Sequence, residues 1–442
     1  MDQLIPSLAI LVETFRSAFA RPESFNTFRQ LLAAWIIAPG PRTISELWQA
    51  TGRAATHHWD AAYSFFASAQ WEWDDIAKIL LLALVARFTP IGRIVVIVDD
   101  TLCHKRGAKV AFGGFYLDAV TSTQKHKNLR FGVNLVVIAL SVHLPWRPDR
   151  PFALPVIWRV YRKKGTAGHR TRTVMAAEMM ALLASWLPAR KILLIGDNAY
   201  LNSTVLANRP SNLQVLGPLR SNAALYLRPA PRKPGTRGRP PVKGERLPKL
   251  KAIMDDTVAY PAETLDLTFG EQTKTLRVQV LRDILWPTGA GRESVTVVLI
   301  RDPAGQWRDE VLLATGPALT AAEMIALYCR RWSVEVLFRE SKQLLGLHDP
   351  QVRTEKSVER AHSFSWLVYS LTILWYREHG EPCPKVQRSR PWYRSEPCVT
   401  FSSILGTLRL QQWDMHISEE LAQGQSPRKI LDRLKHWLAA VR

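Results

Sequence analysis

Cysteine is scarce in this 442-residue chain: Cys103, Cys329, Cys383 and Cys398, with no CxxC pair and no histidines at zinc-site spacing. A disulfide-built secreted scaffold and a structural zinc module are thereby excluded, and reduced thiols in a cytoplasmic protein are expected. Long apolar runs are also missing, since the longest, Ile79 to Ala86, is far too short to cross a bilayer. The opening residues, MDQLIPSLAILVETF, lack a basic segment ahead of the apolar one, so no signal peptide is expected. No internal repeat is visible.

Acidic residues are the third shortage: 38 Asp and Glu stand against 59 Lys and Arg, a formal charge of +21. The imbalance is local. Residues 1–90 carry 7 basic and 8 acidic side chains, whereas His104 to Thr173 carries 14 basic and 2 acidic. A focused excess marks a groove or face for a polyanion, and at this size nucleic acid is favoured over a membrane surface. What is present in abundance, 47% hydrophobic residues and 16 Trp, argues for packed structure in two or three domains.

The first 90 residues read as helices, with apolar periodicity over Phe25 to Ile37 and Ile76 to Phe88. Between them, Thr43 and Glu46 have capping-box spacing and Gly52 is a helix stop, before a further helix over Ala54 to Ala67. This pattern suits either a helix-turn-helix or an ordinary helical packing unit. From Arg93 the period changes. Ile94 to Val98 is a β-branched run of the kind buried on both faces, and it runs into Asp99-Asp100-Thr101. Val110 to Val120, Phe131 to Val142 and Leu154 to Tyr161 are extended in character, Arg172 to Leu187 is helical, and Lys191 to Gly196 is a buried strand running into Asp197-Asn198. Leu213 to Leu216 adds another strand, giving an α/β sheet with a mixed edge.

Arg228 to Lys251 interrupts this order with six Pro, nine basic residues and one acid, and reads as a loop. It contains Arg237-Gly-Arg239-Pro, the core of a minor-groove hook and a source of phosphate contacts. Leu265 to Leu313 returns to strands. Ala321 to Leu347 is expected to be one long helix, with Tyr328, Arg331, Glu335 and Lys342 within about 60° of one another around it. On its own this stripe fits a solvated face of i,i+4 pairs as readily as a phosphate and metal site. A second long helix is expected from Ser357 to Tyr376, and a modest tail follows.

Three carboxylates stand apart by position. Asp99 and Asp197 each end a short apolar strand, where ligand sites of open α/β sheets lie, and Glu335 sits on a later helix. Oxygen-only ligands suit hard ions such as Mg²⁺, and two such ions can assist phosphodiester cleavage. Asp100 is held in reserve for Asp99, because adjacent strand residues face opposite sides.

Asp99-x-Thr101, Gly196-Asp197 and Tyr328-(2)-Arg331-(3)-Glu335-(6)-Lys342 resemble the signature of DDE transposases, in the Tyr-Arg-Glu-Lys branch of cut-and-paste insertion sequences. Asp99-Asp-Thr-Leu-x-His-Lys-Arg-Gly107 and Pro391-Trp-Tyr393 resemble the same group. The resemblance covers roughly residues 90–380. It implies an α/β protein with an RNase H-like mixed-sheet core interrupted by a β-rich insertion, between helical N-terminal and small C-terminal domains. The expected division is a helical domain over 1–90 with a role in DNA-end recognition, core segments over 91–218 and 319–380, the insertion over 219–318 and a tail over 381–442.

The resemblance further implies two Mg²⁺ ions (Mn²⁺ substituting) on Asp99, Asp197 and Glu335. It places Tyr328, Arg331 and Lys342 on phosphates, and Lys105, Arg106, Arg237 and Arg239 join them as expected DNA contacts. Trp286 or Trp307 would stack on a flipped base. Partners would be double-stranded DNA, as terminal inverted repeats and target, and a second copy in a synaptic homodimer, with no membrane and a nucleoid location. Two other readings stay open: an RNase H-like nuclease or resolvase acting on DNA structure, and a domesticated, non-catalytic DNA-binding protein.

Overall fold

The computed structural model describes residues 3–52, 54, 58–123, 125–231, 238–269, 272–316, 319–380, 383 and 399–439. The N-terminal stretch is helical: α1 (Pro6–Glu13), α2 (Pro22–Ile37), α3 (Ile44–Ala50), α4 (Asp60–Ala67) and α5 (Trp73–Phe88). Thr43 caps α3 by accepting the Glu46 amide at 3.3 Å, and Gly52 follows that helix at φ +75°, as its sequence implied. The helix expected from Ala54 starts instead at Asp60.

The core begins with β1 (Ile94–His104), β2 (Gly114–Leu117), β3 (Leu129–Leu144) and β4 (Arg147–Val160). It continues through α6 (Arg172–Trp186), β5 (Ile192–Ile195), α7 (Ser203–Ala207) and β6 (Leu213–Pro218). The strands lie in the order β4-β3-β1-β5-β6, with β1, β5 and β6 parallel, β3 antiparallel to its neighbours β1 and β4, and β2 paired with the first part of β3. This is an RNase H-like mixed sheet. β1 does not stop at Asp99: it runs on to His104 because β3 continues to pair with it after β5 has ended.

After α8 (Leu250–Asp255) come β7 (Ala262–Phe269), β8 (Gln272–Leu285), α9 (Pro287–Ala290), β9 (Ser294–Arg301) and β10 (Glu310–Thr315). These strands do not form a sheet of their own. β10 pairs antiparallel with β6, so β7 to β10 extend the core sheet to ten strands. The pairing covers the backbone edge that β6 would otherwise leave open. The described part of the Pro-rich loop is also tied down, since Leu227 exchanges backbone bonds with Gly244 and Glu245, both at 2.9 Å.

The expected single helix from Ala321 is two, α10 (Ala321–Cys329) and α11 (Trp332–Leu344). No Pro or Gly causes the break. The turn tightens to three-residue spacing, with Arg331 N bonding Tyr328 O at 2.9 Å and Ser333 N bonding Arg330 O at 3.0 Å. Helices α12 (Glu355–Trp375), α13 (Phe401–Ala422) and α14 (Pro427–Ala439) complete the chain. α12 is buried around its whole circumference, between β4 on one side and α2, α4, α5 and α13 on the others. Its Arg360 lies 2% exposed yet satisfied. The guanidinium donates to Ala69 O at 2.9 Å and to Trp71 O, and lies 4.1 Å from the Trp71 ring centre. The tail packs back on the start of the chain, where Gln412 accepts the Ile5 amide at 3.1 Å.

Candidate active site

β1 and β5 run parallel with Ile97 opposite Ile195. Two residues further along each strand's chain stand Asp99 and Asp197, just past the point where the β1–β5 pairing ends. β5 is only four apolar residues long, so its chain turns away at Gly196, and Asp197 fixes that turn by accepting the Ala199 amide at 2.8 Å and the Tyr200 amide at 3.3 Å. A side chain at Gly196 has no room: its Cβ would come within 2.9 Å of Tyr200 and 3.1 Å of Val98.

Asp99 and Asp100 point to opposite faces of β1. Asp99 meets the α10–α11 junction, where Arg331 Nη1 lies 3.2 Å from Asp99 Oδ2 and 3.6 Å from Glu335 Oε1. Arg331 thus ties the strand acid to the helix acid. Asp100 is taken up on the other face, accepting from the Tyr200 hydroxyl and from Asn134 Nδ2, both at 3.0 Å, with Arg172 Nε at 3.4 Å. Glu340 faces away from Glu335: it is buried and accepts the Tyr369 hydroxyl at 2.8 Å.

Burial pushes the Asp99 carboxyl up to about 7; the charges of Asp197 and Asp100 act in the same direction, opposed by the Asp100 amide and by Arg331. Burial also raises the Tyr328 phenol, with the Glu310 and Asp197 carboxylates adding to it. Glu310, at the start of β10, therefore faces the same place, and its own carboxyl is raised by burial against the pull of Arg331. Beside Asp197 a cleft of about 770 Å³ opens, lined by Asn198, Arg220, Asn222, Arg308, Glu310 and Tyr328 among others.

The donors Asp99, Asp197, Glu335 and Glu310 offer only oxygen, which suits a hard divalent cation. A buried carboxyl raised by neighbouring carboxylates is one that a cation would return to its charged form. The residues therefore fit a metal in type. Among the described residues no three His, Cys, Asp or Glu side chains already converge on one ion position, and the Arg331 guanidinium lies between Asp99 and Glu335.

A profile of the DDE superfamily endonucleases matches residues 14–289, more than half of the chain and both aspartates. The chain belongs to the DDE superfamily endonuclease family. The matched span ends before α11, so the place of Glu335 in this endonuclease rests on its tie to Arg331 and on its motif. No curated protein matches the chain. Among the described residues of this endonuclease no helix is long and apolar enough to cross a membrane.

The expected DNA contacts are distributed unevenly. Arg106 and Arg239 are exposed, and Lys342 is half-buried on α11. Lys105 is half-buried: its ammonium donates to His348 O at 2.5 Å and Pro350 O at 2.9 Å, and burial lowers it to about 8. It ties β1 to the segment after α11. Arg237 and Pro391-Trp-Tyr393 lie outside the described residues. Trp286 packs over Gly289, whereas Trp307 is 41% exposed with Lys274 4.2 Å from its ring centre. Glu310 and the Tyr200–Asp100 pair escaped the sequence reading. The spacing Asp197-x-x-Tyr200, which returns a phenol over the strand end, was the signal for the latter.

Proposed function

We propose that this endonuclease is a DNA transposase that cuts the ends of its element and joins the freed 3′-OH to target DNA. The observation that carries the reading is the Asp99–Arg331–Glu335 chain, with Asp99 and Asp197 both two residues past the end of the β1–β5 pairing. Asp99, Asp197 and Glu335 would hold divalent ions, Mg²⁺ with Mn²⁺ able to substitute. Bound there, the ions would supply Lewis-acid stabilisation of the attacking and leaving oxygens.

The protein groups have separate tasks. Asp99 must lose its proton to take an ion, and Arg331 favours that charged form against the burial that raises it. With metal on those carboxylates, Arg331 would be free to turn to a non-bridging phosphate oxygen, alongside Tyr328 and Lys342. Tyr328 remains protonated and donates. Arg106, Arg239 and the cleft arginines Arg220 and Arg308 would hold flanking phosphates, and two copies would bring two ends together.

The test is incubation of purified protein with a plasmid carrying the sequences that flank its coding region. Mg²⁺-dependent nicks at terminal inverted repeats followed by joining to a second plasmid are expected. Cleavage of branched DNA without any joining would instead assign a structure-specific nuclease.

A further inference from the structure

Past the end of β5, the hairpin of β2 and the first part of β3 projects as an arm. Phe115 pairs with Phe131 and Leu117 with Leu129. Phe115, Leu117 and Leu129 are 65%, 50% and 60% exposed on one face, with Phe131 half-buried beside them in an edge-on ring contact of 5.5 Å with Phe115. Four large apolar side chains in one exposed group call for a partner.

The arm is held firmly, so this exposure is a property of its shape. On its inner face Tyr116 is 8% exposed, bonds Phe112 O at 3.3 Å and meets the Tyr161 ring edge-on. Arg162 lies 4.6 Å from the Phe112 ring centre, Ala111 N donates to Arg353 O at 3.0 Å, and His104 bonds Asp118 at 3.1 Å.

Charge identifies the partner. Arg106, Lys109, Lys125 and Lys127 are exposed on the segments that flank the arm's strands, and Arg130 is exposed on the strand itself, opposite Tyr116. The one acid between Lys105 and Phe131 is Asp118, which is buried and bonded to His104. A second copy of so cationic a surface would be repelled, whereas a duplex meets the cations with phosphates and the apolar side chains with sugars and base faces. We propose that this arm is a DNA-docking surface that lays its cations along the backbone and presses Phe115 and its apolar neighbours into a groove. The proposal rests on the reading of DNA as substrate. Phe131 and Leu129 stand six and eight positions before Val137, the partner of Asp99. That is about 20–26 Å along the strand, or roughly 6–8 base pairs from the phosphate at Asp99.

The experiment compares the full-length protein with the variant Phe115→Ser/Leu117→Ser/Leu129→Ser on a fluorescein-labelled random-sequence duplex, with Ca²⁺ in place of Mg²⁺ so that cleavage plays no part. The variant should bind about tenfold or more weakly, with unchanged sedimentation in the absence of DNA and an unchanged melting profile. A photo-crosslinking side chain at position 115 should label bases roughly 6–8 base pairs from the cut on a cleavable substrate. Equal affinity of variant and wild type, or a change of oligomeric state with affinity per subunit intact, would overturn the arm as a DNA surface. Failure of the wild type to bind any duplex would instead overturn the reading of DNA as substrate.

Discussion

The Tyr200 hydroxyl donates to Asp100 across 3.0 Å, and the amide of the same residue bonds Asp197. One side chain thus braces the turn that carries Asp197 against β1, which carries Asp99. Tyr200→Phe removes the brace and leaves the ring in place. It should raise the Mn²⁺ concentration needed for half-maximal binding by about tenfold and cost about 1–2 kcal/mol of stability. Manganese titration followed by electron paramagnetic resonance checks the first and thermal unfolding the second. A loss of stability with unchanged metal binding would leave Tyr200 a packing residue only.

Glu335 and Glu340 separate function from folding. Glu335 is exposed, so Glu335→Ala should leave stability within about 0.5 kcal/mol and abolish cleavage. Glu340→Ala strands the buried Tyr369 hydroxyl and should cost about 1–3 kcal/mol, while the folded fraction still cuts DNA. Denaturant unfolding and a nicking assay on the two variants decide it.

The raised Asp99 carboxyl gives a signed pH dependence. In metal-free protein its value near 7 exceeds that of the unfolded chain, so the folded state holds a proton that the unfolded state has lost. The stability contributed by this group is complete below about 4 and is lost as pH rises through 7. Asp99→Asn should therefore melt higher than wild type at pH 8 in EDTA, by more than it does at pH 5. Metal binding by the wild type should strengthen over the same rise, because the ion needs the carboxylate.

Arg360 is predicted to be structural. Arg360→Met leaves the carbonyls after α4 without their donors and should destabilise by about 3 kcal/mol or more, read by chemical denaturation.

Much of this architecture was legible in the residues. Ile94 to Val98 and Ile192 to Ile195 are apolar runs with one meaning, a strand buried on both faces, although only Asp197 follows a strand that stops and β1 runs on past Asp99. The opposite facing of Asp99 and Asp100 follows from strand geometry alone. What could not be read is long-range. The pairing of β10 with β6 joins Leu312 to Pro218 across the whole Pro-rich segment. Of the partners of Asp100, Tyr200 was signalled by its spacing from Asp197, whereas no local pattern brings Asn134 and Arg172 to it. The break at Arg330-Arg331 carries no Pro or Gly, so periodicity ran straight through it; the break sets Tyr328 and Glu335 on separate helices. The bonds of Lys105 to His348 and Pro350 are long-range too, since a basic segment gives no hint of which cation folds back on its own chain.

The central claim is that Asp99, Asp197 and Glu335 hold the metal of one nuclease centre. The most direct measurement is Mn²⁺ uptake and DNA nicking by wild type, Asp99→Ala, Asp197→Ala, Glu335→Ala and Glu310→Ala in parallel. The account predicts that the first three variants lose both tight uptake and nicking, and that Glu310→Ala keeps nicking. Normal uptake and nicking by Glu335→Ala, with loss in Glu310→Ala, would contradict it and move the third ligand to β10.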